Sequence, residues 1–237
     1  MYVILDLETD NKKVHGDKEH NQIVAIGLKY GSLDQFEWGL DERDLGRCTG
    51  LVTFYEPPLF GYNWLNYVKT IVGHNIKYDL LYLWDSPVIH KFFQEGGMIW
   101  DTAIAEYILT GQQHKYPALR DIAVNKYGCK EREKFMEAYW DKKIDTIHIP
   151  KGIVLQDLRS DLEDTEAVYL QQLVLALKNK QSRLITAQMD SLLATTDMEY
   201  NGMYVNQEVL AMNQNELEHQ KNLLSEHILN ISKRHWK

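Results

Sequence analysis

The chain has 237 residues, 44% hydrophobic and 25% charged, an ordinary globular composition and enough length for one large domain, or one domain and a fragment. A formal net charge of −8 counts against a broad electrostatic footprint on duplex DNA, but not against a narrow site for a strand end. No apolar run is long enough for a transmembrane helix, acids interrupt the N-terminal apolar stretch too early for a signal peptide, and the two cysteines, Cys48 and Cys129, lack metal or redox spacing, which suits a reducing intracellular setting.

In chain order, YVILDL is the first strand, with Tyr2, Val3, Ile4 and Leu5 forming a continuous apolar run of the buried type. NQIVAIGLKYG is the second, ended by Gly31, and QFEWGL at 35–40 is a candidate third, which together make an antiparallel meander. A helix from Pro57 leads into a short strand at TIVGHN; YDLLYLWD is a helix stopped by Ser86-Pro87. MIWDTAIAEYILTG opens another helix, with Asp101 or Thr102 as N-cap. KYPALRDIAVNKYG is a further helix that stops at Gly128. The charged stretch from Cys129 to Gly152 reads as an irregular surface excursion, after which a long helix runs from Val154. The order is that of an α/β domain.

Near residue 185 the pattern changes. Asn201-Gly202 is a turn signal between short extended pieces, and Leu210, Leu217, Leu224 and Ile228 then mark an amphipathic helix. The expected organisation is a domain over 1–185 followed by a hairpin and truncated helix over 186–237.

Three groups of acids stand out. Asp6 and Glu8 share one face of a strand, so each raises the other's pKa unless something compensates. The bland explanation is a solvated strand end. Asp79 follows a glycine-preceded strand in GHNIKYDLL, where an N-cap aspartate is the ordinary reading. Asp161, Glu163 and Asp164 lie on the long helix, where acids are usually just solvated.

Taken in order, DxE, then N-x-x-x-D in NIKYD, then a helix bearing EDTEAVY resembles the motif series of the DEDD exonucleases. WDTAIAEYILTG and YPALRDIAVNKYG resemble helices of the proofreading 3′→5′ exonuclease domain of family A DNA polymerases, phage-type in its compact start, and DMEYNGMYVN resembles the connection into the polymerase domain. The resemblance implies a ribonuclease H-like α/β fold, a mixed sheet flanked by helices. Asp6, Glu8, Asp79 and Asp164 map onto its four metal-binding carboxylates. Two divalent ions, Mg2+ or Mn2+, would offset the repulsion between the acids. The implied substrate is the 3′ end of single-stranded DNA, with a polymerase domain in the same parent chain, in the cytoplasm of a bacterial or phage-infected cell. Leu7, Thr9, Asn75 and Lys77 fall on the substrate side.

One position departs from the pattern. The family places a tyrosine four residues before its last aspartate, or in a sister branch a histidine five before; counted from Asp164 these are Ser160 and Arg159. Counted from Asp161 they are Asp157 and Gln156. The text EDTEAVY favours Asp164, with Asp161 the alternative, and Ser160 is the candidate to hold a water through its hydroxyl. A ribonuclease D-like RNA exonuclease and a weakened domain that binds a 3′ end or braces a polymerase are the rival readings.

His74, beside Asn75, reads as a local hydrogen-bonding residue more readily than a base. Phe54, Tyr55, Phe60, Tyr62, Trp64 and Tyr67 offer either base stacking or, more simply, packing on the sheet. Lys126, Lys130, Arg132 and Lys134 form a basic group that could guide a nucleic-acid backbone, a reading weakened by the interleaved Glu131 and Glu133.

Overall fold

Apolar runs that alternate faces build a five-stranded mixed sheet in a computed structural model that describes residues 1–10, 22–33, 51–54, 65–113 and 117–235. Strand β1 (Tyr2–Thr9) is central. It pairs antiparallel with β2 (Ile23–Gly31), which pairs antiparallel with β3 (Leu51–Phe54). On its other side β1 runs parallel to β4 (Thr70–Gly73), and β4 parallel to β5 (Met98–Asp101). The meander is therefore present, closed by Leu51–Phe54; the candidate strand at 35–40 and most of the helix expected from Pro57 lie outside the described residues.

Helices α1 (Lys77–Leu83), α2 (Pro87–Gln94) and α3 (Thr102–Leu109) follow the parallel strands. The Ser86-Pro87 pair that stops α1 also starts α2, because proline at the first helical turn lacks only an N–H that would be unpaired there. Asp101 ends β5 and caps α3, its Oδ1 accepting from the N–H groups of Ala103 and Ile104 at 2.8 and 3.1 Å. Of the two expected caps, Asp101 is the one used, and the residues before it, Met98–Asp101, form a strand that the helix expectation did not include. The Asp121–Lys126 turn is a π-helix that ends before Gly128, and the excursion holds a short α4 (Glu137–Trp140) and a 3-10 turn at Thr146–His148.

The long helix α5 (Lys151–Lys178) lies across β1, β2 and β3. Val154, Leu158, Leu162, Thr165 and Tyr169 recur at helical spacing and are buried. Tyr169 meets the ring of Tyr2 edge-on at 5.2 Å, and the Tyr2 hydroxyl donates to Glu166 at 2.8 Å. Since Tyr2, Ile4, Asp6 and Glu8 alternate onto one face, the helix that covers Tyr2 also passes over the two acids. Gly27, paired with Asp6 across the ladder, makes this approach possible. A Cβ there would stand 2.6 Å from Leu162 Cδ1 and 3.0 Å from Leu158 Cγ. Gly27→Ala should therefore lift α5 and destabilise the fold by about 1–3 kcal/mol; an unchanged melting temperature would contradict this packing.

Two compact units divide the chain, Met1–Tyr200 and Asn201–Lys237. The first extends past the boundary expected at 185, because α6 (Ser182–Asn201) buries Ile185 and Met189 against the main core. Asn201-Gly202 is not a hairpin turn. It ends α6, with Gly202 at φ 69°, the left-handed conformation common just after a helix. The second unit carries α7 (Gln207–His235), capped by the Asn206 side chain, which accepts from Glu208 and Val209 N–H at 3.0 and 3.1 Å.

Candidate active site

The last register pair between β1 and β4 is Ile4 with Val72, so Asp6 and Glu8 project where β1 has run beyond its parallel neighbour. A register shift follows between Glu8 and Thr9. Crevices at the carboxyl ends of parallel strands are the usual binding places of open α/β sheets.

Oxygens of Asp6, Glu8 and Asp161 all lie within 4.8 Å of one another, and all three residues are half-buried. Asp79, buried at the start of α1, accepts the Leu7 N–H at 2.9 Å through Oδ1. It therefore holds the peptide between the two strand acids. Burial raises the pKa of Asp6, and Asp161 raises it further. Burial, then Asp6 and Asp161, raise that of Glu8; burial, then Asp6, raise that of Asp79. A group of carboxylates that repel one another this way is the donor chemistry of a hard divalent cation.

Asp161, the alternative fourth acid, is the one in this group; Asp164 is not. The difference is helical phase: Asp164, although buried, is three residues on and about 60° further round α5, so the two acids face different neighbours. Asp164 sits 3.8 Å from Arg132, whose other nitrogen bonds Glu163 at 2.6 Å. Ser160 lies about 100° round the helix from Asp161, and its hydroxyl donates to the Gln156 carbonyl at 3.1 Å.

Of the substrate-side residues, Thr9 Oγ1 and the Tyr78 hydroxyl share a 2.6 Å hydrogen bond, and Tyr78 reaches Tyr82 at 3.2 Å. Leu7 contributes its N–H to Asp79 while its side chain is buried. Asn75 is exposed, with φ at 55°, and its N–H donates to Asp101. Lys77 is engaged with Glu199 on α6 at 2.6 Å. His74 Nδ1 lies 2.8 Å from Thr102 Oγ1, and burial lowers its pKa to about 4. It is neutral at physiological pH and structural in its contacts. Of the aromatic series, Tyr67 is exposed and the other five side chains lie outside those described.

No family model matches the chain, and no curated protein matches it. Solved structures do. The chain is similar to Brucella melitensis NrnC with bound Mg2+, at TM-score 0.56 and 13% identity over 85% of this chain and 86% of that one. It is similar to Brucella melitensis NrnC bound to pGG, at 0.55 and 12% over 85% of each. A structure described as the apo form of the nuclease gives 0.58 and 11%, again over 85% of each. The fold is ribonuclease H-like. At these identities the likeness is one of fold, and the family A polymerase setting is left to proposal.

Two residues join the site without a sequence signal of their own. Lys134, in the stretch expected to be a surface excursion, bonds Asp161 through Nζ. Asp157, on α5, accepts from the N–H groups of Met136 at 2.9 Å and Phe135 at 3.4 Å. The recurrence of acids at 157, 161 and 164 facing Arg132 and Lys134 is the pattern that could have revealed both. The basic group is thus largely spent within the protein: Lys126 also pairs with Glu106.

Proposed function

We propose that the chain is a metal-dependent 3′→5′ exonuclease of single-stranded nucleic acid, with DNA as substrate in a polymerase's proofreading step. The observation that carries this reading is the meeting of Asp6, Glu8 and Asp161 beside Asp79, at the end of the central strand of a ribonuclease H-like sheet. Asp6, Glu8 and Asp161 would hold the ions, with Asp79 completing the set; carboxylate oxygens suit Mg2+ or Mn2+. Two such ions, when bound, polarise a water and stabilise charge on the phosphate.

The protein's own part is positional. Asp79 fixes the Leu7 peptide, and so the angle between Asp6 and Glu8. Gly27 admits α5, and α5 delivers Asp161. In the reaction a water oxygen joins phosphorus, the P–O3′ bond breaks, and the departing 3′ oxygen takes a proton, leaving a nucleoside monophosphate. The proposed partners are a single-stranded 3′ end and a polymerase domain in the same parent chain, in the cytoplasm; among the described residues no helix is long and apolar enough to cross a membrane.

A second reading, an RNA exonuclease, is favoured by the likeness to NrnC bound to pGG. One assay separates them: 5′-labelled single-stranded DNA, RNA of the same sequence, and pGG, each with Mg2+ and with chelator. A ladder shortening from the 3′ end of DNA, lost on chelation, is the expected result. Preference for RNA or pGG moves the substrate to the second reading. No cleavage of any of the three with either Mg2+ or Mn2+ would refute the nuclease.

A further inference from the structure

Residues 132–136 are tied to α5 at successive turns, and the two segments run in opposite directions. Arg132 engages Glu163 and Asp164, Lys134 engages Asp161, and the N–H groups of Phe135 and Met136 engage Asp157. Just beyond, Met136 is buried with Ile149, Val154 and Leu158 in a cluster of its own. The chain is therefore tied on both sides of Lys134, by the Arg132 side chain before it and by the Phe135 and Met136 N–H groups after it. The Lys134 side chain is mostly enclosed, 24% exposed, so it is not a freely solvated lysine. Its Nζ bonds Asp161, whose carboxylate has an oxygen within 4.8 Å of oxygens of Asp6 and Glu8.

The enclosed ammonium thus sits against the group formed by Asp6, Glu8 and Asp161, with Asp79 beside it as the fourth acid. Two divalent ions would balance the four carboxylates. The ammonium would then be left to balance the single negative charge of a phosphodiester. Oriented cations at the place where phosphoryl charge develops are a large source of stabilisation. A lysine acts there as a compact point charge with three donors and no acceptor, so it can bind a phosphate oxygen but cannot take a proton from water.

We propose that Lys134 is the phosphate-contacting cation of this site, serving as counter-ion to the acid group when metal is absent and meeting a non-bridging oxygen of the scissile phosphate when it is present. The phosphate half rests on the nuclease reading; the counter-ion half does not. The two halves predict opposite effects of one substitution. Without the ammonium, nothing competes with the metal. Without it, too, the phosphate loses a donor.

The test uses Lys134→Met and Lys134→Arg in the whole chain, with folding checked by circular dichroism. Mn2+ binding is followed by the electron paramagnetic resonance signal of the free ion, without substrate, and turnover is measured on 5′-labelled single-stranded DNA. Lys134→Met should bind Mn2+ about tenfold more tightly, while kcat falls about 100-fold. Lys134→Arg should stay within about tenfold of the parent in both, since the charge is kept. A residue that merely braced the fold would weaken both measurements together, so weaker Mn2+ binding by folded Lys134→Met overturns the proposal. Parent-like kcat in that variant overturns it as well. Should Lys134→Met fail to fold, a folded Lys134→Arg that has lost both binding and turnover overturns it. A parent chain that binds Mn2+ but cuts no nucleic acid defeats the nuclease reading and the phosphate half with it, while the Mn2+ comparison still decides the counter-ion half.

Discussion

Asp161→Asn abolishes hydrolysis of a labelled oligonucleotide, and Asp164→Asn leaves it within about threefold of the parent: this is the expected outcome of a paired substitution on α5. Asparagine keeps the shape of aspartate and removes one negative charge. At Asp161 that charge belongs to a group whose oxygens lie within 4.8 Å of each other. Losing it removes a ligand from ions worth several kcal/mol to the transition state, so a fall on the order of a thousandfold or more is expected. At Asp164 the charge faces Arg132 at 3.8 Å, and Arg132 keeps its closer bond to Glu163. Pairs with one partner near solvent contribute little. Single-turnover cleavage with Mg2+ in excess measures both. The reverse ranking, with Asp164→Asn dead and Asp161→Asn active, would move the fourth ligand three residues along the helix and sink the site as described.

How that choice arises shows what a sequence carries and what it does not. Strand β1 is legible because its apolar run ends in Asp6, and α5 because Leu158, Leu162 and Tyr169 keep helical spacing. The acids Asp6, Glu8 and Asp79 are legible as candidates because their spacing alone puts two on one strand face and one at a helix start. The choice between Asp161 and Asp164 is not, because both lie within one turn and the text EDTEAVY carries local similarity, whereas the approach of Asp161 to Asp6 and Glu8 exists only in three dimensions. Burial does not separate the two either: Asp164 is buried and Asp161 half-buried. Elements with double duty are half legible: the cap at Asp101 and the stop at Ser86-Pro87 can be read from the sequence, but not the strand that ends at Asp101 or the helix that opens at Pro87. Asp101 ends a strand and caps a helix, and Ser86-Pro87 closes one helix and opens the next. Lys134 is hidden for a different reason. Its partner is 27 residues away, and nothing local distinguishes an anchored lysine from the solvated ones around it.

Removing one acid of this group should make the metal-free protein more stable, not less. Asp6 has an ordinary pKa of 3.8, and burial followed by the charge of Asp161 holds it well above that in the folded chain. A carboxyl whose folded pKa exceeds its unfolded one binds more protons in the native state, so stability falls as pH rises through the interval between the two values. At pH 7.5, with chelator, Asp6→Asn should therefore melt above the parent, by roughly 2–4 °C for each kcal/mol relieved in a chain of this length. The gap should close as pH drops toward the ordinary carboxyl range, where Asp6 is protonated in both states and asparagine gains nothing over it. Saturating Mg2+ should reverse the order, because ions that bind only the native acid group stabilise the parent by mass action and find one ligand fewer in the variant. Thermal melts of both proteins across pH, with chelator and with Mg2+, read all three effects. A metal-free parent that outlasts Asp6→Asn at pH 7.5 would mean that Lys134 already satisfies the acids in full. The group would then be a settled ion-pair network with no electrostatic deficit left for a metal to fill.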